Sequence, residues 1–262
     1  CSSDLSTRTT WEADLTSYNA QTSGYGFGLA TNPYRMSDDH IIAAANVCDQ
    51  TVTETPVGGT GTVTEKRYTC NGPFVTSSAP NDIISNMLTS MGGLFWYSGG
   101  MWKMKAAAYT TPTITLTDDD LRSNVSVSTT FSRRDNFNSV KGTFRGAESD
   151  WQEADYPSIT LDSALEADNN LINVADYSLP FTSSSLTAQR IARIFLNRNR
   201  EQLTIQASWG MKAFQVEVGD IVNITLERFG WTNKPFEVTS WTFGAVDNYD
   251  RSEEHTSELQ SH

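Results

Sequence analysis

Apolar side chains recur at helical spacing in three stretches of the chain and alternate with polar ones through much of its second half. Ile83, Ile84, Met87, Leu88 and Met91 lie on one stripe, which predicts a helix starting at Asn81 and stopped by Gly92 and Gly93. Ser37-Asp38-Asp39-His40 predicts a second helix through Val47, with the Ser37 side chain capping free amides and the two acids suiting the dipole. A long helix is predicted over 186–202, where Ile191, Ile194 and Phe195 form the apolar stripe and Arg190, Arg193, Arg198 and Arg200 occupy the remainder. Trp11, Leu15 and Tyr18 suit a short helix ahead of the Gly-rich string GYGFGLA.

Strand signals fill most of the rest. Residues 94–97 and 101–106 flank Ser98-Gly99-Gly100 and predict an aromatic-rich hairpin with a compact turn. The Thr/Val/Gly-rich stretch 49–61 predicts two strands and a loop, leading into a strand at 66–71. Further strands are predicted at 114–116, 125–131, 139–145, 202–209, 221–226 and 236–243. The sum is an α+β chain, mostly β, with a few helices and a boundary near 112–120.

Composition narrows the function classes. The chain has 262 residues, 38 % hydrophobic, with seven Trp, nine Tyr and twelve Phe, which argues for a packed core rather than disorder. Thirty-one acids against nineteen bases, a net charge of −12, argue against a nucleic-acid binder, because phosphate neutralisation needs clustered Lys and Arg. The last twelve residues, RSEEHTSELQSH, read as the translation of a common sequencing-adapter string, so 251–262 is expected to be an artefact; one Arg and three Glu leave with it, and the body then carries −10. The chain opens at Cys1 without a signal peptide and is expected to be truncated there too. Residues 83–102 lack charge over about the length of a membrane span, but their Ser, Thr, Asn and paired Gly exclude one.

Candidate chemistry is sparse. Asp118-Asp119-Asp120 is the sharpest charge feature, yet three consecutive carboxylates cannot all face one cation and the EF-hand spacing is missing, so a solvated strand end is expected rather than a metal site. Glu148, Asp150, Glu153 and Asp155 lie near Trp151 and Tyr156, an arrangement that also suits a glycan-binding or glycoside-processing loop. In the body His40 is the one histidine, placed at a helix start beside Asp38 and Asp39, where capping suits it better than base catalysis. No nucleophile elbow, zinc signature, phosphate loop or dinucleotide fingerprint occurs, so neither an enzyme nor a cofactor is expected. Cys48 and Cys70 are either a disulfide or two buried thiols. Arg190, Arg193, Arg198 and Arg200 are either a solvated helix face or a subunit interface pairing with a neighbour's acids.

The order of several strings carries more than any of them alone. AAANVCDQ (43–50), RYTCNG (67–72), NDIISNMLTSMGGLFWYSGGMWKMKAAAY (81–109) and LTDDDLRSNVSVSTTFSRRDNFNSVKGTF (116–144) are followed by W-x-x-x-DYP (151–157), LPFT (179–182), AQRIARIFLNRNR (188–200), VGDIVNIT (218–225) and GWTNKPFEV (230–238). In this order the chain resembles the tip attachment protein J family of siphophage tails. The resemblance implies hub or tube domains of β-barrel-like form with added helices, closing as a homo-trimer around a channel. It implies that 1–115 is part of one hub domain with its insertion and 116–250 a second, tube-lining domain. It implies a structural role in the tail tip of a phage or prophage, linking the tail tube to the host-recognition fibre. Other tail-tip and tail-tube proteins would be its partners, with the virion its place after assembly in the bacterial cytoplasm. An acidic channel wall would let DNA pass without adhering. The competing reading is a secreted carbohydrate-binding or glycoside-processing β module that uses Trp151, Tyr156 and the acids around them.

Overall fold

A computed structural model describes residues 36–75, 77–129, 136–201 and 203–245, and residues 253–261 as a strand. In chain order the elements are α1 (Asp38–Asp49), β1 (Thr51–Glu54), β2 (Val63–Lys66), α2 (Pro80–Thr89), β3 (Leu94–Ser98), β4 (Met101–Lys105), β5 (Thr115–Thr117), β6 (Ser126–Ser128) and β7 (Ser139–Arg145). They continue with β8 (Glu153–Thr160), α3 (Asp162–Ala167), β9 (Val174–Asp176), α4 (Ser185–Arg200), β10 (Thr204–Trp209), β11 (Ile221–Leu226), β12 (Trp231–Ala245) and β13 (Glu253–Ser261). The described chain is therefore mostly β with four helices. It forms two compact units interleaved in sequence, the first from residues up to Ala108 together with Phe137–Leu196, the second from Tyr109–Asn136 together with the residues from Asn197 onward.

In the first unit α4 packs on small side chains. Ala188, Ile191, Ala192 and Leu196 recur at helical spacing and are buried, so the stripe is centred on the alanines and lets the helix approach its neighbours closely. Ile194 and Phe195, expected at the centre of that stripe, lie at its margin, where Phe195 stacks on Tyr177 at 4.4 Å and on Phe137 at 5.1 Å. Cys48, Tyr68, Val140, Phe144, Tyr156 and Leu179 are among the other side chains buried in this core. The predicted hairpin is present as β3–β4, and both turn residues take positive φ, 61° at Gly99 and 82° at Gly100, as a two-residue hairpin turn requires. A three-stranded sheet has the order β8-β7-β9, with β8 antiparallel and β9 parallel to β7. Pro157 sits in β8, an edge strand, where its missing N–H costs no ladder bond.

The predicted strand at 66–71 is a correction: strand structure ends at Lys66, although the Arg67, Tyr68 and Asn71 amides still donate to the Gln50, Cys48 and Phe181 carbonyls. The Ser37 cap is another. Its hydroxyl makes no cap bond to the helix amides and pairs with His40 Nδ1 at 2.7 Å instead. The short helix expected around Trp11 to Tyr18 lies outside the described residues.

The second unit is built on one six-stranded sheet of order β5-β11-β12-β13-β10-β6, antiparallel except where β5 runs parallel to β11. Ile205, Trp209, Val222, Ile224, Leu226, Phe236 and Leu116 are buried on it. Along β11, Val222, Ile224 and Leu226 are buried while Asn223 and Thr225 are half-buried, the alternation that marked this strand in the sequence. The strand expected over 125–131 is described as Ser126–Ser128, and 130–135 lie outside the described residues. Residues 253–261, within the segment read as adapter-derived, form β13 between β12 and β10.

Candidate functional site

Five features of the sequence offered chemistry, and the structure places each. The arginines of α4 divide. The Arg190 side chain is only 6 % exposed and is held entirely inside the chain: Nε donates to Glu54 Oε2 at 3.1 Å, Nη2 to Glu65 Oε1 at 3.4 Å, and Nη1 to the Arg67 carbonyl. Glu65 also accepts from Ser184 Oγ at 2.6 Å and Thr187 Oγ1 at 2.7 Å, and the Val57 amide donates to Gln189 Oε1 at 2.8 Å. This cluster fastens the β1–β2 hairpin to the start of α4. Arg198 pairs with Glu237 at 3.5 Å and Arg200 donates to Asn136 Oδ1 at 2.7 Å. Arg193 alone is exposed. Arg190 is therefore spent within its own chain, because Glu54 and Glu65 reach it from 136 and 125 residues away.

The acidic run is divided among separate structural tasks. Asp120 Oδ2 accepts from the Thr117 amide at 3.0 Å and hydroxyl at 3.2 Å, closing a capping box, and pairs with Lys212 at 3.1 Å. Burial alone would raise its pKa, but these donors outweigh burial and hold the carboxyl below the ordinary aspartate value. Asp118 Oδ2 accepts from the Glu227 amide at 3.0 Å. Among the described residues no group of three or more His, Cys, Asp or Glu is arranged to hold a metal ion.

Both Cys48 and Cys70 are free thiols, the first buried and the second half-buried. Burial pushes the Cys48 thiol up to about 11, and its Sγ lies 4.0 Å from Met91 Sδ. His40 packs edge-on against Trp96, with ring centroids 5.8 Å apart.

The acidic aromatic loop separates into an inner and an outer residue. Tyr156 is buried, its hydroxyl donates to the Tyr177 carbonyl at 2.9 Å, and burial pushes its pKa up. It is a core side chain and offers no face to a sugar, which corrects its place in the glycan reading. Trp151 is 53 % exposed at the turn between β7 and β8, flanked by exposed Asp150 and Glu153. The turn is held from within: the Trp151 amide donates to the Gly146 carbonyl at 3.0 Å, the Gln152 amide to the Ser149 carbonyl at 2.9 Å, and Ser149 Oγ to the Gly146 and Gln152 carbonyls at 3.1 and 2.8 Å. Asp150 and Trp151 both take positive φ, 51° and 62°. Such angles are ordinary for Asp in a turn and unusual for Trp. Exposure and backbone conformation are invisible in the string ESDWQEADY, although the short polar run before Trp151 was a turn signal.

Comparison with known proteins adds a family. Residues 79–241 match the profile of the family described as "Putative phage tail protein". No curated protein matches the chain. Among solved structures, a chain of the virion of a native gene transfer agent particle superposes with a TM-score of 0.54 at 15 % identity, covering 95 % of this chain and 56 % of that one. The 43 kDa tail protein of prophage MuSo2 from Shewanella oneidensis gives 0.45 at 13 % identity, over 71 % of this chain and 54 % of its own. The prophage tail protein gp18 from Listeria monocytogenes EGD-e gives 0.37 at 13 % identity, over 84 % and 69 %. The chain thus spans little more than half the length of the first two, and its fold is like that of the gene transfer agent chain.

Proposed function

The chain belongs to this family of phage tail proteins, and from that premise we propose that it is a structural component of a phage or prophage tail tip, the baseplate hub, within the tip attachment protein J family. In this reading it acts without catalysis or a cofactor. Three copies close a ring that links the tail tube to the host-recognition fibre, in contact with other tail-tip and tail-tube proteins. The ring forms in the bacterial cytoplasm and resides in the virion. The observation that carries the reading is the family match over 79–241, because that span holds seven of the nine strings on which the resemblance to the J family rests, those at 43–50 and 67–72 lying before it.

The fold is compatible with that role. Among the described residues the two larger sheets end on strands with no further strand paired to them, β5 and β6 in one, β8 and β9 in the other. Copies arranged in a ring cover such edges and complete barrel-like walls, which removes a liability that a solitary chain would carry. We assign the two hub-type domains to the two compact units, since each has its own core, rather than to the contiguous stretches 1–115 and 116–250. Immunogold labelling of intact particles with antibodies to this chain tests the reading. Label confined to the tail end far from the capsid is expected; label along the tube or on the capsid would overturn it.

A further inference from the structure

Trp151 and Arg193 are both exposed, and among the described residues no hydrogen bond, ion pair or ring contact of either side chain is seen. Trp151 is more than half exposed on a turn whose hydrogen bonds hold it at φ 62°, and Asp150 before it is held at φ 51°. A Trp in the left-handed region costs free energy and persists only where surrounding contacts over-determine it. The hydrogen bonds fix the backbone of the turn, so burying this aromatic adds no loop ordering to the cost of binding. The rim of the turn is acidic, with Asp150, Glu153 and Asp155 exposed. The base beside them, Arg145, already pairs with Glu153 at 2.5 Å. On α4, in the same compact unit, Arg190 is engaged by Glu54 and Glu65, while Arg193 faces outward and exposed.

We propose that Trp151 is the anchor of a contact between two copies of this chain, received on the neighbour by the outward face of α4 at Arg193. Charge complementarity selects the occupant: an acidic, aromatic turn on one copy meets an exposed cation on the next. The guanidinium of Arg193 stacks on the Trp151 ring and pairs with the Asp150 or Asp155 carboxylate, the two modes of recognition for which arginine is suited. Trp and Arg are also the residue types that dominate the binding energy of protein interfaces. The turn and the helix face are different surfaces, so the contact is heterologous and closes into a ring when the rotation permits. The inference rests on the oligomeric reading above and names the surfaces that build it.

The test is self-association of the full 262-residue chain, followed by light scattering and sedimentation against concentration. Trp151→Gly and Arg193→Glu are each expected to weaken the association constant at least tenfold. Asp150→Lys combined with Arg193→Glu is expected to recover association relative to either single change. In melts run at a dilution where wild type and variant are both monomeric, Trp151→Gly is expected to leave the melting temperature unchanged or raised, because glycine relieves the left-handed strain, whereas a merely structural Trp would lower it. A chain that self-associates with the same constant in all these variants would overturn this contact and leave the ring reading standing. A wild-type chain that stays monomeric at about 100 µM, a concentration at which even weak standard-size contacts assemble, would overturn both.

Discussion

The buried Arg190 cluster offers a perturbation whose size follows from its geometry. Replacing Arg190 by Met keeps the length and apolar stem of the side chain and removes the guanidinium. The Arg67 carbonyl then loses its donor, Glu54 loses its ionic partner, and Glu65 keeps only the Ser184 and Thr187 hydroxyls. Breaking a buried ion pair on one side costs about 3–5 kcal/mol when the remaining charge is fully desolvated. Here the Glu54 side chain is 39 % exposed and rehydrates, while Glu65, at 21 %, retains two donors, so the loss should fall to about 2–3 kcal/mol. Because the cluster fastens the β1–β2 hairpin to α4, the damage should appear first as release of that hairpin. Limited proteolysis at 55–62, read beside urea denaturation of Arg190→Met and Arg193→Met, is the assay. At a dilution where the chains are monomeric, rapid cleavage and a lowered midpoint are expected for the first variant, and a change within about 0.5 kcal/mol for the second, a surface position of the single chain. Equal behaviour of the two would refute the idea that the cluster holds the hairpin. Replacing Arg190, Glu54 and Glu65 together by apolar residues should recover much of the loss, since no unpaired charge then remains.

Three further outcomes are expected. Gly142→Ala would set a Cβ 2.0 Å from the Tyr177 carbonyl oxygen and 2.9 Å from the Tyr156 hydroxyl, so about 3 kcal/mol of stability should be lost in thermal denaturation. Asp120 has a depressed pKa in the folded chain, so its stabilisation is present above the unfolded value of about 3.9 and fades as pH falls through the folded one; Asp120→Asn should be less stable than wild type at pH 7 and converge with it in acid, followed by melting temperature against pH. In a Cys1→Ser background, a disulfide-exchange reagent at pH 8 should modify half-buried Cys70 well before Cys48, whose buried thiol titrates at about 11; equal rates would contradict the burial of Cys48.

Local signals in the sequence were good guides to elements whose chemistry is local. Ser98-Gly99-Gly100 marked the hairpin because only glycine meets its turn angles cheaply, and β7 and β11 match their predicted bounds because β-branched residues recur in them. β8 went unread since Glu153, Asp155 and Pro157 describe a blunted edge strand, which resembles a loop in composition. α3 and β9 are too short for any periodicity to register. Of the candidate site, the importance of the Arg-rich helix was legible but its division was not. Nothing near Arg190 in sequence distinguishes it from Arg193; Glu54 and Glu65 do so in space. Likewise Trp151 and Tyr156 are equivalent in the string, and only folding buries one and exposes the other.

The assembly state of the chain bears most directly on its role. Native mass spectrometry of the purified 29.0 kDa protein across a concentration series should show a species of three chains growing at the expense of one. A single-chain mass at every concentration, from protein whose melting curve shows it folded, would contradict a ring-forming tail-tip scaffold.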